Sequence, residues 1–327
     1  ENTLFEETDT KYTWWLQDDE WAMNFISRST AEDNAVKLGG AVSAWVATAI
    51  CESWNGSTWS SSMTNMPNAR QMGGGRGNLD DCIFAGGDTG GTNNPSKDTY
   101  LWNGDSWASA AYPQMVEYHS EGFALGGNSQ AAFAHSGSSG YTGSTPYQKQ
   151  YSGIFDGDSW TASVTSSYGG QGTNGDGTSD DFFGGGGYNS AVSPTDVDEM
   201  ESFNGTAWKD EADFPWNTLA AWHLYGAGMF CCSGVESALT QGNNNALSGN
   251  AVTYDGSAWA AAGDMTVSIR GGGFGGDSSY AIGAGFYPAD TGESGHANNS
   301  TTYNGTIFAT VASLGTPVSH SGVGGNS

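Results

Sequence analysis

Trp102 to Trp107 reads WNGDSW, and its order of aromatic, Asn or Asp, Gly, two further residues and a closing aromatic returns five times. The other copies are Trp54 to Trp59 (WNGSTW), Phe155 to Trp160 (FDGDSW), Phe203 to Trp208 (FNGTAW), Tyr254 to Trp259 (YDGSAW) and Tyr303 to Phe308 (YNGTIF). A degenerate seventh copy lies in WLQDDEW, Trp15 to Trp21. The closing aromatics Trp21, Trp59, Trp107, Trp160, Trp208, Trp259 and Phe308 are 38, 48, 53, 48, 51 and 49 residues apart. A period near fifty is the size of one four-stranded propeller blade.

Each copy reads as a β-hairpin, because Asn-Gly and Asp-Gly supply the two positive-φ residues of a type I′ turn. The flanking aromatics then pack between adjacent sheets. Upstream of each hairpin lie a Gly-rich and a small apolar segment, as at Gly122 to Asn128 and Ala131 to Ser136, or Gly271 to Gly276 and Tyr280 to Gly285. Glycine suits innermost strands, where neighbouring backbones converge on an axis and side chains have no room. Polar insertions at Ser136 to Tyr147, Asn189 to Asp198 and Gly242 to Gly249 fall between second and third strands and are expected on one face.

The ends complete the ring. Ser319 to Gly325 (SHSGVGG) reads as an inner strand with nothing after it, and the N-terminus offers three strands at Thr3 to Glu6, Lys11 to Trp15 and around Trp21. The expectation is an all-β fold, a closed seven-bladed β-propeller in one domain over residues 1–327. Its closing blade joins N-terminal strands within 1–25 to a C-terminal strand at 319–325, which removes exposed sheet edges. The alternative is six blades with residues 1–40 as an N-terminal extension.

Composition agrees with this reading. The 51 Gly, 13 Trp, 14 Tyr and 14 Phe among 327 residues belong to short strands and tight turns. Nine Lys plus Arg against 35 Asp plus Glu leave a formal charge of −26, the wrong sign for nucleic acid or an anionic membrane. No apolar run reaches the ~18 residues of a membrane-spanning helix; the most apolar window is Ala41 to Ile50. Cys51, Cys82, Cys231 and Cys232 lack zinc spacing and read as small buried hydrophobes, with a Cys51 to Cys82 bridge as the alternative.

With Gly86-Gly87, Gly126-Gly127 and Gly184 to Gly187 beside the hairpin aromatics, the repeat resembles kelch or galactose-oxidase-type propeller repeats. Its degenerate form is most similar to kelch-like repeats of tailed-phage and marine-virus structural proteins. The resemblance implies a propeller and, in its viral form, a structural role. It departs from ordinary kelch repeats in a spacing from aromatic to Trp that is one residue shorter.

Few residues point to chemistry. The five His (His119, His135, His223, His296, His320) do not form a copper-radical centre, and Asp156 stands four residues before Trp160 where a sialidase Asp-box places its Asp five before. Only four Arg are present, too few and too scattered for a sialic-acid triad. Scarce bases recur at the entry to the inner strand: Arg70, His119, Arg270 and His320 follow their hairpin aromatics by 11, 12, 11 and 12 residues, and His223 follows Trp208 by 15. They read as bonds to a neighbouring blade, or as a basic channel rim for an anionic group. Asn174, Asp176, Asp180 and Asp181 in NGDGTSDD gather oxygen ligands and make a candidate calcium site.

The function expected is therefore non-catalytic: a structural or adhesive propeller on a virion exterior (tail, fibre or capsid decoration) or in another extracellular assembly, with other structural proteins as partners. The alternative is a secreted lectin-like propeller in which Tyr141, Tyr147, Tyr188 and Tyr287 stack on sugar rings of host-surface glycans. A sialidase-like or oxidase-like enzyme ranks behind both.

Overall fold

Five of the six hairpins form as full two-strand ladders, and all six use a different turn from the one expected. In the computed structural model Trp54 pairs with Trp59, Phe155 with Trp160, Phe203 with Trp208, Tyr254 with Trp259 and Tyr303 with Phe308, each closing a four-residue loop; Trp102 and Trp107 meet in a single bridge. The Asn or Asp side chain, not a second left-handed residue, makes the turn. Asn103 Oδ1 accepts the backbone N–H groups of Asp105 (3.1 Å) and Ser106 (2.9 Å). Asn55, Asp156, Asn204, Asp255 and Asn304 accept the corresponding pair. Only the glycine has positive φ, as at Gly104 (φ 93°). A short carboxamide or carboxylate that bonds its own backbone two and three residues on replaces the type I′ geometry.

The structure describes residues 4–7, 12–17, 20–24, 34–43, 46–90, 95–108, 113–118, 123–137, 150–170, 173–188, 196–215, 228–232, 238–242, 251–265, 269–270, 273–285, 287–288, 298–318 and 322–324. Among them there is no helix. Five sheets have four antiparallel strands. The first sheet takes Ala35–Leu38, Cys51–Trp54, Trp59–Ser60 and the C-terminal Gly322–Gly324. The third comprises Ala124–Gly127, Ala132–His135, Ser152–Phe155 and Trp160–Ala162; the fourth, Asn174–Gly177, Phe182–Tyr188, Asp196–Phe203 and Trp208–Asp210. Gly228–Cys232, Ala238–Gly242, Ala251–Tyr254 and Trp259–Ala261 make the fifth; Gly273–Gly276, Ala281–Ala284, Ser300–Tyr303 and Phe308–Val311 make the sixth. Between the first and third stands the second, three-stranded sheet, Gly74–Gly77, Cys82–Ala85 and Thr99–Trp102.

The first strand of sheets two to six and the C-terminal strand of the first meet successively around a closed ring, the arrangement of a β-propeller. Glycine is required where they meet. A Cβ on Gly74 would stand 2.5 Å from Leu125 Cβ of the next sheet, and one on Gly126 would stand 2.2 Å from the carbonyl oxygen of Gly177.

Closure differs from the expectation. Gly322–Gly324 pairs with Ala35–Leu38, with Val323 opposite Lys37, and not with the N-terminal strands. Those strands, Leu4–Glu7, Tyr12–Gln17 and Glu20–Asn24, form a separate three-stranded sheet, in which the degenerate seventh copy pairs Leu16 with Trp21. The physical reason lies in Ala35-Val-Lys-Leu38: it is a fully buried second strand already joined to Cys51–Trp54, and its free inner edge takes up the C-terminal strand. The closing sheet thus uses residues that the six-blade alternative had assigned in part to an extension.

Aromatic rings fill the wedge between sheets. Phe133 of the third sheet stacks on Phe203 of the fourth at 4.9 Å, and Phe183 of the fourth on Tyr254 of the fifth at 4.9 Å. Burying each such ring contributes about 1.5–3 kcal/mol, and the ring pair about 0.5–1.5 more. The indoles add direction by donating backwards round the ring: Trp107 Nε1 to the Thr64 carbonyl (2.8 Å), Trp160 to Thr99 Oγ1 (2.8 Å), Trp208 to the Val164 carbonyl (2.9 Å) and Trp259 to the Ala212 carbonyl (2.9 Å).

Candidate functional site

Strand order divides the ring into two unlike ends. Turns joining first to second strands and third to fourth strands share one end, because consecutive strands are antiparallel. Among the described residues this end repeats one device. Besides the six hairpins, Asn78, Asn128, Thr178 and Asp277 each accept the N–H groups two and three residues on, in the turns between first and second strands. The other end carries every connection between second and third strands and every connection between sheets. There the described connections vary in length and composition; the three expected polar insertions lie almost entirely outside the described residues, and Asp196–Asp198 of the second belong to the third strand of the fourth sheet.

The best-described part of the variable end surrounds Arg70. Its Nη2 donates to Asp98 Oδ2 at 2.6 Å and to Ser96 Oγ at 3.3 Å, its Nη1 to the Ala69 carbonyl at 2.9 Å, and its guanidinium carbon lies 5.4 Å from the centre of the Tyr100 ring. Gln114 Nε2 donates to the second Asp98 oxygen at 2.7 Å. Arg70 is 6% exposed. It ties the connection leaving the first sheet to the second sheet and is not a free cation at a rim. The neighbour-bonding reading holds for Arg70, through a carboxylate and a hydroxyl of the next sheet rather than through carbonyls alone.

Arg270, expected at the same place, is one position out. It pairs with Tyr287, as Gln71 pairs with Asp88, so its equivalent is Gln71 and not Arg70. The connection into the sixth sheet is one residue shorter, and in extended chain one residue exchanges the two faces. The strand register nonetheless brings two of the candidate residues, Arg270 and Tyr287, opposite each other. Tyr188 ends its strand opposite Asp196. His119, His223, His320, Tyr141 and Tyr147 lie outside the described residues. Exposed aromatics at this end that the sequence did not single out are Tyr151 and Tyr118, the latter with Lys97 Nζ 4.8 Å from its ring centre.

The proposed calcium ligands are dispersed by the fold. Asn174 and Asp176 lie on an innermost strand, while Asp180 and Asp181 lie in the turn after it. Asp176 Oδ2 is 3.0 Å from Arg76 Nε, so its charge is met by an arginine. Among the described residues no three His, Cys, Asp or Glu side chains gather as a metal-binding group.

Sequence reasoning missed two devices. Glu52 accepts the N–H groups of Gly315 (2.7 Å) and Thr316 (3.1 Å), and Glu201 those of Ser167 (3.1 Å) and Tyr168 (3.3 Å). Each stands two residues before its hairpin aromatic, a shared repeat position that was available as a signal. Burial raises the Glu201 carboxyl above its ordinary value, against the two N–H bonds that lower it. Beside Glu52, fully buried Lys37 donates to the Ile50 carbonyl at 2.9 Å and lies 3.9 Å from Glu52 Oε1; burial lowers its ammonium pKa. Cys51 and Cys82 are buried free thiols, so the alternative of a bridge is not realised; burial pushes Cys51 up to about 11. The other missed device is Arg76 itself.

These features define a β-propeller with one uniform and one variable end. No family model and no curated protein matches the chain. Among solved structures it is similar to one described as "Structure of YjhT", at a TM-score of 0.60 and 12% identity over 88% of this chain and 99% of that chain. At this identity the likeness shows the fold alone.

Proposed function

We propose that the chain is a non-catalytic structural or adhesive propeller of kelch-like type, acting on the exterior of a virion or of another extracellular assembly, with other structural proteins as its partners. The observation that carries the reading is the contrast between ends among the described residues: ten repeated side-chain-capped turns at one, and connections of varied length and composition at the other. A scaffold that holds one end constant while varying the other is organised for recognition. Arg70 and Arg76 agree with this, since both are engaged between sheets, while Lys37 is engaged within the first sheet. The viral form of the repeat and the scarcity of Lys and Arg, which leaves few sites for trypsin-like proteases on an exposed surface, point the same way.

Exposed Tyr118 and Tyr151 favour a second reading, a lectin-like propeller whose rings stack on sugars. Imaging of native particles together with a glycan array separates the two. Symmetric density for the chain on a capsid, tail or filament is expected. A monomer that binds a defined glycan and never appears on particles overturns the structural reading. A panel of glycosidase, sialidase and oxidase substrates is expected to show no turnover, and activity abolished by one side-chain change refutes the non-catalytic assignment.

A further inference from the structure

Arg76, Gly126 and Asp176 occur at intervals of fifty residues and share one register position, third in the inner strands Gly74–Gly77, Ala124–Gly127 and Asn174–Gly177. The second and fourth sheets therefore carry opposite charges at one level of the ring, with a glycine in the sheet between. The Arg76 guanidinium reaches from the second sheet to the fourth. Its Nε lies 3.0 Å from Asp176 Oδ2, and its Nη2 donates to the Gly175 carbonyl at 3.2 Å. On the other side its Nη1 donates to the Val323 carbonyl of the first sheet at 3.1 Å and to the Gly75 carbonyl at 3.0 Å. One side chain thus bonds inner strands of three sheets, two of which are not neighbours. These carbonyls belong to the edge of each inner strand that has no partner strand, and such groups need donors.

We propose that the axis of the ring is a guanidinium-binding site, built from inner-strand carbonyls and the carboxylate of Asp176, and that the chain fills it with its own Arg76. The site is built and mostly enclosed: the Arg76 side chain is 14% exposed and that of Asp176 11%. A planar fork of five N–H donors matches one carboxylate and carbonyls arriving from several directions, which an ammonium does not. Glycine occupies the same register position in the third, sixth and first sheets, at Gly126, Gly275 and Gly324, so Arg76→Gly keeps an inner-strand backbone the ring already tolerates. The variant leaves a vacancy of guanidinium shape beside the Asp176 carboxylate, which keeps the Gly177 N–H.

The test is rescue of the full-length Arg76→Gly chain by methylguanidinium at millimolar concentration, far below its denaturing range. Arg76→Gly is expected to melt below the wild type. Methylguanidinium is expected to raise its midpoint by about 2 °C or more, as a ligand of the native state does, while methylammonium and sodium chloride at equal ionic strength do not. Neither the wild type nor Arg76→Gly/Asp176→Asn is expected to respond. A midpoint for Arg76→Gly equal to the wild type, or no response specific to methylguanidinium, overturns the proposal. The wild type gives a measurement that holds even if the variant fails to fold. With four arginines in the chain, the Arg76 side-chain nitrogens can be assigned by NMR, and the site requires slowed rotation and slow hydrogen exchange at Nη. Rotation as fast as that of a solvated arginine overturns it equally.

Discussion

The backbone N–H of Gly315 donates to Oε2 of Glu52 at 2.7 Å, across 263 residues of chain. With the Thr316 N–H on Oε1, it fastens the segment leading to the C-terminal strand onto the third strand of the sheet which that strand completes. Glu52→Ala takes the acceptor from the Gly315 and Thr316 N–H groups and removes the only carboxylate forming an ion pair with buried Lys37 among the described residues, a loss of about 3–5 kcal/mol by the usual cost of breaking a buried pair. That is a large part of a typical domain's 5–15 kcal/mol. Urea titration should show a lower midpoint, and a lower slope if the first sheet opens before the rest. Lys37→Met should cost less, since Glu52 keeps its two N–H donors. Deleting residues 316–327 should reduce cooperativity more than either. A truncated chain that melts like the full one contradicts this account of closure.

Gly126→Ala should be more disruptive than its single methyl suggests. The added Cβ would stand 2.2 Å from the Gly177 carbonyl oxygen and 2.6 Å from the Gly177 nitrogen. Backbone cannot swing aside as a side chain can, so two inner strands must separate. The expectation is a loss of about 3 kcal/mol or more, at the upper end for overpacking. Thermal melts check it. Gly153→Ala, whose added Cβ would meet the Trp160 ring at 3.2 Å and no nearer backbone atom, should retain more stability.

The hairpins and the Gly-rich inner strands were legible because each is a local pattern with a local cause: an Asn or Asp beside Gly, aromatics at fixed offsets, and glycine where backbones converge. The turn type was misread because Asn-Gly is shared by two turns. The choice depends on whether Asn55 or Asp156 adopts positive φ or bonds its own backbone, and loop length settles that. Closure was misread because WLQDDEW repeats the aromatic spacing, whereas AVKL at 35–38 has no marker other than being apolar. The exchange of Arg70 for Arg270 came from counting forward from the hairpin; counting back from Gly74 and Gly273 gives the register. Arg76 with Asp176, and Glu52 with Gly315, join residues distant in sequence. Only the shared repeat position connected them in advance.

Asp98 should make part of the stability acid-sensitive. Burial pushes its carboxyl up, but hydrogen bonds involving Gln114 and Ser96, together with the Arg70 charge, outweigh it and hold the group below its ordinary 3.8. A carboxylate with a depressed folded-state pKa binds fewer protons folded than unfolded. Its contribution is therefore complete above the unfolded value and is lost as pH falls through the folded one. Asp98→Asn should be less stable than the wild type at pH 7, and the gap should narrow below about pH 3.8. Denaturant midpoints across pH 2.5 to 7, on the order of the range where carboxylates titrate, check this. A gap independent of pH would assign the effect of the substitution to packing.

Among the tryptophans that close the hairpins, Trp59 and Trp107 should respond differently to the same substitution. Trp107 Nε1 donates to the Thr64 carbonyl at 2.8 Å, so Trp107→Phe removes a hydrogen bond and leaves a carbonyl short of its donor, at a cost of about 1–2 kcal/mol. Trp59 packs against Ala35, Trp54 and Ile282 and against Ala284, Leu314, Val318 and Val323 at the junction of the sixth and first sheets, yet its Nε1 is buried without a hydrogen-bond partner among the described residues. Replacing that indole by Phe removes a polar group that is already unsatisfied, so the desolvation it relieves offsets much of the lost contact area. Trp59→Phe should therefore be close to neutral, while Trp59→Ala, which empties the wedge, should cost about 3–5 kcal/mol. Denaturant midpoints of the three variants decide it. If Trp59→Phe costs as much as Trp107→Phe, the Trp59 indole has a partner after all, and the junction that closes the ring is bonded like the others.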